Sequence, residues 1–214
     1  MNAGNEILFS TLLEDRPELT QCKPALASAF DALCRTFHSG HKLLICGNGG
    51  SAADCEHIVG ELMKGFRRIR SIPDALAGKF NKVYGLEGKE IAELLQEAFP
   101  AVSLVSHVSL CTAIANDLSP DMVFAQQVYG YGKAEDALLA ISTSGNAKNV
   151  INAVKVARIL DIRTVALTGE GGTLKELAEI SISVPGKDTA RMQEYHMAIY
   201  HTLCAALETE FFSE

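Results

Sequence analysis

His57 and Glu61 stand four residues apart in the stretch CGNGGSAADCEHIVGEL, Cys46–Leu62, which follows the apolar run HKLLIC. On a helix this spacing puts an imidazole and a carboxylate on one face, an arrangement suited to a shared ion or a shared substrate. Taken alone, the pair reads as an exposed or capped contact. Further candidates lie near the C-terminus in TARMQEYHMAIYH, residues 189–201, which contains Gln193, His196 and His201. At 3.6 residues per turn, His196 sits about 60° from Gln193 around the helix axis and His201 about 80° on the other side. The two histidines therefore point in well-separated directions, and one small site can use only one of them. Spacing does not say which.

The other chemistry-bearing feature is a pair of loops. Gly47, Gly49 and Gly50 permit positive φ and close backbone approach, and Ser51 is placed to cap the helix that follows. A turn of this kind after a strand exposes amides at a helix N-terminus, where an anion is stabilised. It is neither G-x-G-x-x-G nor a lysine-bearing P-loop, which argues against a dinucleotide or nucleoside triphosphate. A second loop, ISTSGNAKNV at 141–150, offers the hydroxyls of Ser142, Thr143 and Ser144, followed by Gly145 and Asn146. No cation precedes Lys148, so a phosphate there would be held by hydroxyls, amides and the helix dipole.

The elements that position these residues alternate. Short, near-continuous apolar runs at 42–46, 102–108, 137–143, 163–168 and 179–184 read as strands covered on both faces. Helical patterns fall near 22–39, 51–66, 119–130, 147–160 and 188–210. Such alternation implies an α/β fold with a parallel sheet between helices. Both loops then fall at the carboxyl ends of strands, where open α/β sheets bind ligands. Residues 70–100 fit poorly and read as an insertion containing a loop and a short helix at 88–98. The last segment reads as one long helix with Thr189 as its cap. The apolar faces of 22–39 and 188–210 exceed what one sheet layer covers, so a tetramer of D2 symmetry is expected.

Bulk properties exclude several classes. The chain has 214 residues, 48% of them hydrophobic and 21% charged, as in ordinary globular proteins. A net charge of -7 argues against a nucleic-acid or anionic-membrane binder. The basic cluster KGFRRIR, residues 64–70, reads as the solvated end of a helix. There is no signal-peptide pattern and no apolar run long enough to span a membrane. Six scattered cysteines without a C-x-x-C pair suit reduced, buried thiols in a cytoplasmic protein.

The two loops, with AND at 115–117 and the motif at 189–201, resemble the sugar isomerase (SIS) domain family of phosphosugar proteins. Within it they are most similar to the sedoheptulose 7-phosphate isomerases, also called phosphoheptose isomerases. The resemblance covers most of the chain outside 70–100. It implies a single SIS domain over 1–214 with N-terminal helices and a flavodoxin-like, doubly wound sheet. It also implies a homotetramer whose active sites are shared between subunits. It selects His57, Glu61, Gln193 and His201 as zinc ligands, leaving His196 to packing or hydrogen bonding. Two histidines, a carboxylate and an amide oxygen are acceptable to zinc, although glutamine is an uncommon ligand. The resemblance places Asn48, Gly49, Gly50, Ser51, Glu61, Asn116, Asp117, Ser142, Thr143, Ser144 and Gln193 against the phosphorylated sugar. Ala147 departs from the family, which usually has a serine there, so weaker or altered phosphate binding is expected. Ketose–aldose conversion through an enediol needs a base near C1 and C2 and an acid for the developing oxyanion. Glu61 and His201 are assigned these roles. The competing reading is a non-catalytic phosphosugar-binding or adaptor protein of the replication-initiator-associating type. Binding alone would not need the paired histidine and glutamate.

Overall fold

A computed structural model describes residues 3–212. Five strands form one parallel sheet: β1 (Leu43–Gly47), β2 (Ala101–Ser103), β3 (Ala137–Ser142), β4 (Arg163–Gly169) and β5 (Ile180–Val184). Their spatial order is β2-β1-β3-β4-β5, with Leu43 opposite Ala137 and Ile141 opposite Leu167. This is the flavodoxin-like, doubly wound order, with its reversal between β1 and β3. Residues along a strand alternate between two cores. Leu43, Ile45, Leu139 and Ile141 face one core, while Leu44, Cys46, Leu138 and Ala140 face the other. Burial on both faces is why these strands read as continuous apolar runs.

The first core is closed by α1 (Ala3–Asp15), α2 (Lys23–His38), α3 (Gly50–Leu62) and α9 (Thr189–Phe211). The second lies under α6 (Val123–Tyr131), α7 (Lys148–Ile159) and the one-turn α8 (Leu174–Leu177). In α2, Leu26, Phe30, Leu33 and Phe37 recur at helical spacing and are all buried. The helix stops where Gly40, at φ +75, lets the chain turn and its amide bond the Phe37 carbonyl. The long helix α9 is capped by Asp188, whose carboxylate accepts the Arg191 amide, rather than by Thr189. A β-region residue just before the helix can turn its side chain back to the orphan amides, whereas Thr189 is already inside the first turn. Among the described residues, no helix is long and apolar enough to cross a membrane.

The second expected strand stops at Ser103 and the chain enters α5 (Val108–Asp117). An apolar run of this length does not distinguish the two periods. Within 70–100, the helix α4 (Asp74–Leu94) is far longer than the short one expected at 88–98, and Gly85, at φ +61, kinks it into two arms. The ends of this excursion meet at their base, where Ser71 bridges Gln96 and the Glu97 amide bonds the Arg70 carbonyl at 2.7 Å. Leu86 and Leu94 on α4 are 81% and 82% exposed. By contrast, the apolar faces of α2 and α9 are covered inside the chain. Helix α1, which the sequence pattern does not locate, packs on α9 and inserts Phe9 and Leu12 into the core. Much of the uncovered apolar surface is therefore on α4 and at Val108 and Leu110 of α5, while of the two helices expected to carry it only α9 exposes a large apolar side chain, Met197.

All six cysteines are free, and Cys22, Cys46, Cys55 and Cys204 are buried. Burial pushes the Cys46 thiol up to about 12, so it stays protonated and inert near neutral pH.

Candidate active site

Two loops at the carboxyl ends of β1 and β3 enclose a cavity of about 320 Å³. Asn48, Gly49, Gly50 and Ser51 supply one wall, Ser142, Thr143 and Ser144 another, and Gln193 closes it from α9. The glycines have definite work here. Gly49, at φ +56, is the N-cap position of α3, and a Cβ on Gly50 would overlap the Gln193 amide. Ser51 is therefore not the cap. It lies inside α3, where its carbonyl accepts the Cys55 thiol. A cap is a non-helical residue ahead of the helix, and Gly49, at φ 56 and ψ -121, takes that place without a side chain to bond the orphan amides.

In the second loop, Gly145 takes φ +66 against the Gly171 carbonyl, and the Asn146 amide bonds the Ser144 hydroxyl at 3.2 Å. The Asn48 and Asn149 side chains exchange two hydrogen bonds, at 2.8 and 3.0 Å, tying the loops together. Sequence reading did not single out Asn149. Ala147 also lines the cavity and offers no hydroxyl to it. Asn116 and Asp117 lie outside this cavity, at the exposed end of α5, where the Asn116 amide donates to Asp117. A larger cleft of about 520 Å³ opens among Glu135, Arg158, Arg163 and Glu176. It sits at the amino ends of the strands, away from the edge where such sheets bind ligands, so size does not select it.

His57, Glu61 and His201 converge, with one ligand-type atom from each within 4.8 Å of the others. Glu61 Oε1 is 3.2 Å from His57 Nε2 and 2.6 Å from His201 Nδ1. Glu61 is only 5% exposed, yet neither of its oxygens nor His201 Nδ1 has an aligned hydrogen-bond partner among the described residues. A buried carboxylate left in this state is costly unless it meets a cation. Two imidazole nitrogens and a carboxylate are a donor set that zinc accepts, so the residues present fit that metal. Phe66 stacks on His201 at 5.7 Å with 16° between ring planes.

Gln193, the fourth zinc ligand that the resemblance implies, stands two turns before His201 on α9, about 12 Å along the axis at 1.5 Å per residue, and faces Gly50 in the cavity rather than the cluster. His196 is fully buried away from the cluster, beside the Thr168 backbone, and burial pulls its pKa down to about 4. It is neutral at physiological pH.

Two further residues at the cluster escaped the sequence reading. Asp54, buried, lies three residues before His57 on the same face of α3, and this spacing was the available signal. Desolvation raises its pKa, against the Tyr200 hydrogen bond and the two histidines. Tyr200 is buried, and its hydroxyl lies 3.3 Å from Asp54 Oδ1 and 3.2 Å from His57 Nδ1. Nothing in the one-dimensional pattern marks a tyrosine beside a histidine.

The basic cluster 64–70 lies beyond the helix and is solvated only in part, Lys64 and Arg67 being exposed. α3 stops at Leu62, and Arg70 is 1% exposed. Its guanidinium reaches the Glu61 carbonyl at 3.0 Å, the Leu62 carbonyl at 2.7 Å and Glu208 at 2.9 Å. Two carbonyls at the end of α3 and a buried carboxylate draw it inward.

Comparison with known proteins adds a second line. The SIS domain family model matches residues 96–169. The phosphoheptose isomerase of Geobacter sp. (strain M21) is 38% identical over 193 residues, covering 90% of this chain and 87% of that protein. That of Helicobacter pylori (strain P12) is also 38% identical, covering 92% and 89%. The solved phosphoheptose isomerase structure from Neisseria gonorrhoeae superposes with a TM-score of 0.73 at 32% identity, covering 94% of this chain and 95% of that one.

Proposed function

The chain belongs to the phosphoheptose isomerase family, and from that premise we propose that it interconverts sedoheptulose 7-phosphate and D-glycero-D-manno-heptose 7-phosphate with zinc at His57, Glu61 and His201. It is an aldose–ketose isomerase of sugar phosphates. The observation that carries the finer reading is the buried Glu61 carboxylate, unpaired by any aligned donor and faced by two histidines. A protein that only bound phosphosugars would have no use for it.

The chemistry follows from the residue types. Amides of the glycine turn and the hydroxyls of Ser142, Thr143 and Ser144 hold the phosphate, aided by the N-termini of α3 and α7. Gln193 orients the sugar from the cavity wall. A seven-carbon substrate carries its phosphate at one end and reacts at the other, which suits the axial distance between Gln193 and His201. Glu61 removes the proton from C1 of the ketose, and the electron pair forms the C1–C2 double bond. His201 delivers a proton to O2, giving the enediol. Return of the proton from Glu61 to C2, with loss of the O1 proton to His201, yields the aldose. Zinc, when bound, would polarise the substrate oxygens on which charge develops. Asn116 and Asp117 complete the sugar contacts in the reading that the resemblance suggests. Residues 70–100 form an insertion, a reading supported by the way their ends meet beside α3.

The reading is tested by assaying a panel of phosphorylated ketoses with metal analysis of the same sample. Wild type is expected to isomerise the seven-carbon substrate and carry up to one zinc per chain. His57→Ala should lower occupancy and His196→Ala should not. Equal loss from both would mean that the wrong histidine has been assigned, and binding without interconversion would favour the adaptor reading.

A homotetramer is part of the same proposal. Exposed apolar side chains on α4 and α5 supply surface that a second copy could cover. Light scattering at micromolar concentration is expected to give four chain masses. A monomer would refute the assembly.

A further inference from the structure

Tyr200 touches both histidines of the cluster, its ring lying 5.6 Å from that of His57 and 4.7 Å from that of His201. Its hydroxyl carries a single proton, which is donated to Asp54 Oδ1 at 3.3 Å. The phenolic oxygen is then left as an acceptor, and the polar atom facing it is His57 Nδ1, at 3.2 Å. An imidazole that donates from Nδ1 keeps its lone pair on Nε2. That nitrogen lies 3.2 Å from Glu61 Oε1, an oxygen that carries only lone pairs as a carboxylate. Two lone pairs at this separation repel unless a cation lies between them. The other tautomer, with the proton on Nε2, would withhold that lone pair from a metal and, at this geometry, make no aligned hydrogen bond to Glu61 in return.

We propose that Tyr200 is a positioning residue for this site: held by Asp54, its hydroxyl fixes His57 in the tautomer that presents an unprotonated Nε2 to the shared cation. The inference rests on the zinc reading above and deepens it. Metal-ligating histidines are commonly held through their second ring nitrogen by a carboxylate, a carbonyl or water. Here a tyrosine stands between the carboxylate and the ring. Asp54 is one turn before His57 on α3, while Tyr200 comes from α9. The relay therefore also sets the roll of one helix against the other at the point where Glu61 and His201 meet.

Tyr200→Phe removes one oxygen and keeps the ring, so the packing against both histidines survives. The variant is expected to retain the wild-type circular dichroism and subunit assembly. Its zinc affinity, measured by chelator competition, should fall about 10- to 100-fold. The visible spectrum of the cobalt(II)-substituted protein should shift. At saturating zinc most of the turnover should return with KM for the sugar phosphate unchanged, a split that loss of packing would not give. A second measurement needs no variant: nitrogen-15 spectra of histidine-labelled, zinc-free wild type should show His57 protonated at Nδ1. Wild-type zinc affinity in Tyr200→Phe, or a His57 proton on Nε2, would overturn this inference alone. A wild-type protein that takes up no zinc would overturn the metal reading, and the inference with it.

Discussion

Glu61→Gln is expected to lower turnover at least about 100-fold, the scale of a positioned acid–base group, while sugar-phosphate binding stays within a few-fold of wild type. Glutamine preserves length and one acceptor oxygen but cannot take a proton from carbon. The phosphate end of the substrate is held elsewhere, by the glycine turn and the Ser142–Ser144 hydroxyls, so affinity should survive. Glutamine is also a poorer zinc ligand than a carboxylate. Zinc content must therefore be measured on the same preparation, and the comparison made at full occupancy. A variant that holds zinc and turns over near the wild-type rate would remove Glu61 from proton transfer.

Arg70→Ala should cost about 3–5 kcal/mol of stability, because removing one partner of a buried ion pair leaves the other charge uncompensated. Arg70 and Glu208 are each 1% exposed, and the guanidinium also packs over the rings of Phe99 and Phe212. The loss should reach the active site. Arg70 holds the carbonyls of Glu61 and Leu62 at the end of α3, and Glu208 lies on α9 two turns beyond His201. Glu208 also accepts the amides of Phe66, which stacks on His201, and Arg67. Urea unfolding at constant chain concentration measures the effect, and a loss below about 1 kcal/mol would contradict a structural role for the pair. The acid limb gives an independent reading. Burial works to raise the Glu208 pKa, but the amides of Phe66 and Arg67 and the Arg70 guanidinium outweigh it and hold the carboxyl below its ordinary value. Its contribution is therefore complete above the ordinary carboxylate range and is lost as pH falls through the lowered value. Glu208→Gln should flatten that part of the stability profile.

The sheet was legible because β1 and β3 are buried along their whole length and β4 beyond Arg163, which leaves mostly apolar runs, while the edge strand β5 keeps its part-exposed Ser181 and Ser183 between apolar residues. The two loops were legible for a related reason: a glycine or hydroxyl requirement is local, set by the φ and polar atoms at that position. Helix α4 was harder, since only Gly88 and Ala92 along it are buried and no core stripe marks its period. Arg70 was misread because charge is written in the sequence but burial is not. Its acceptors are the end of α3, eight or nine residues back, and Glu208, 138 residues away.

The four-residue spacing of His57 and Glu61 is a property of one helix, and the sequence alone determined it. The sequence also determined that His196 and His201 point apart. Which of the two meets Glu61 depends on how α9 is rolled against α3, and that is set by what each face buries. His196, Ile199 and Leu203 turn to the interior, leaving His201 half-buried beside Glu61. Asp54 and Tyr200 join the site by the same contact between helices. A helix period fixes angles along one axis, but only packing fixes one axis against another.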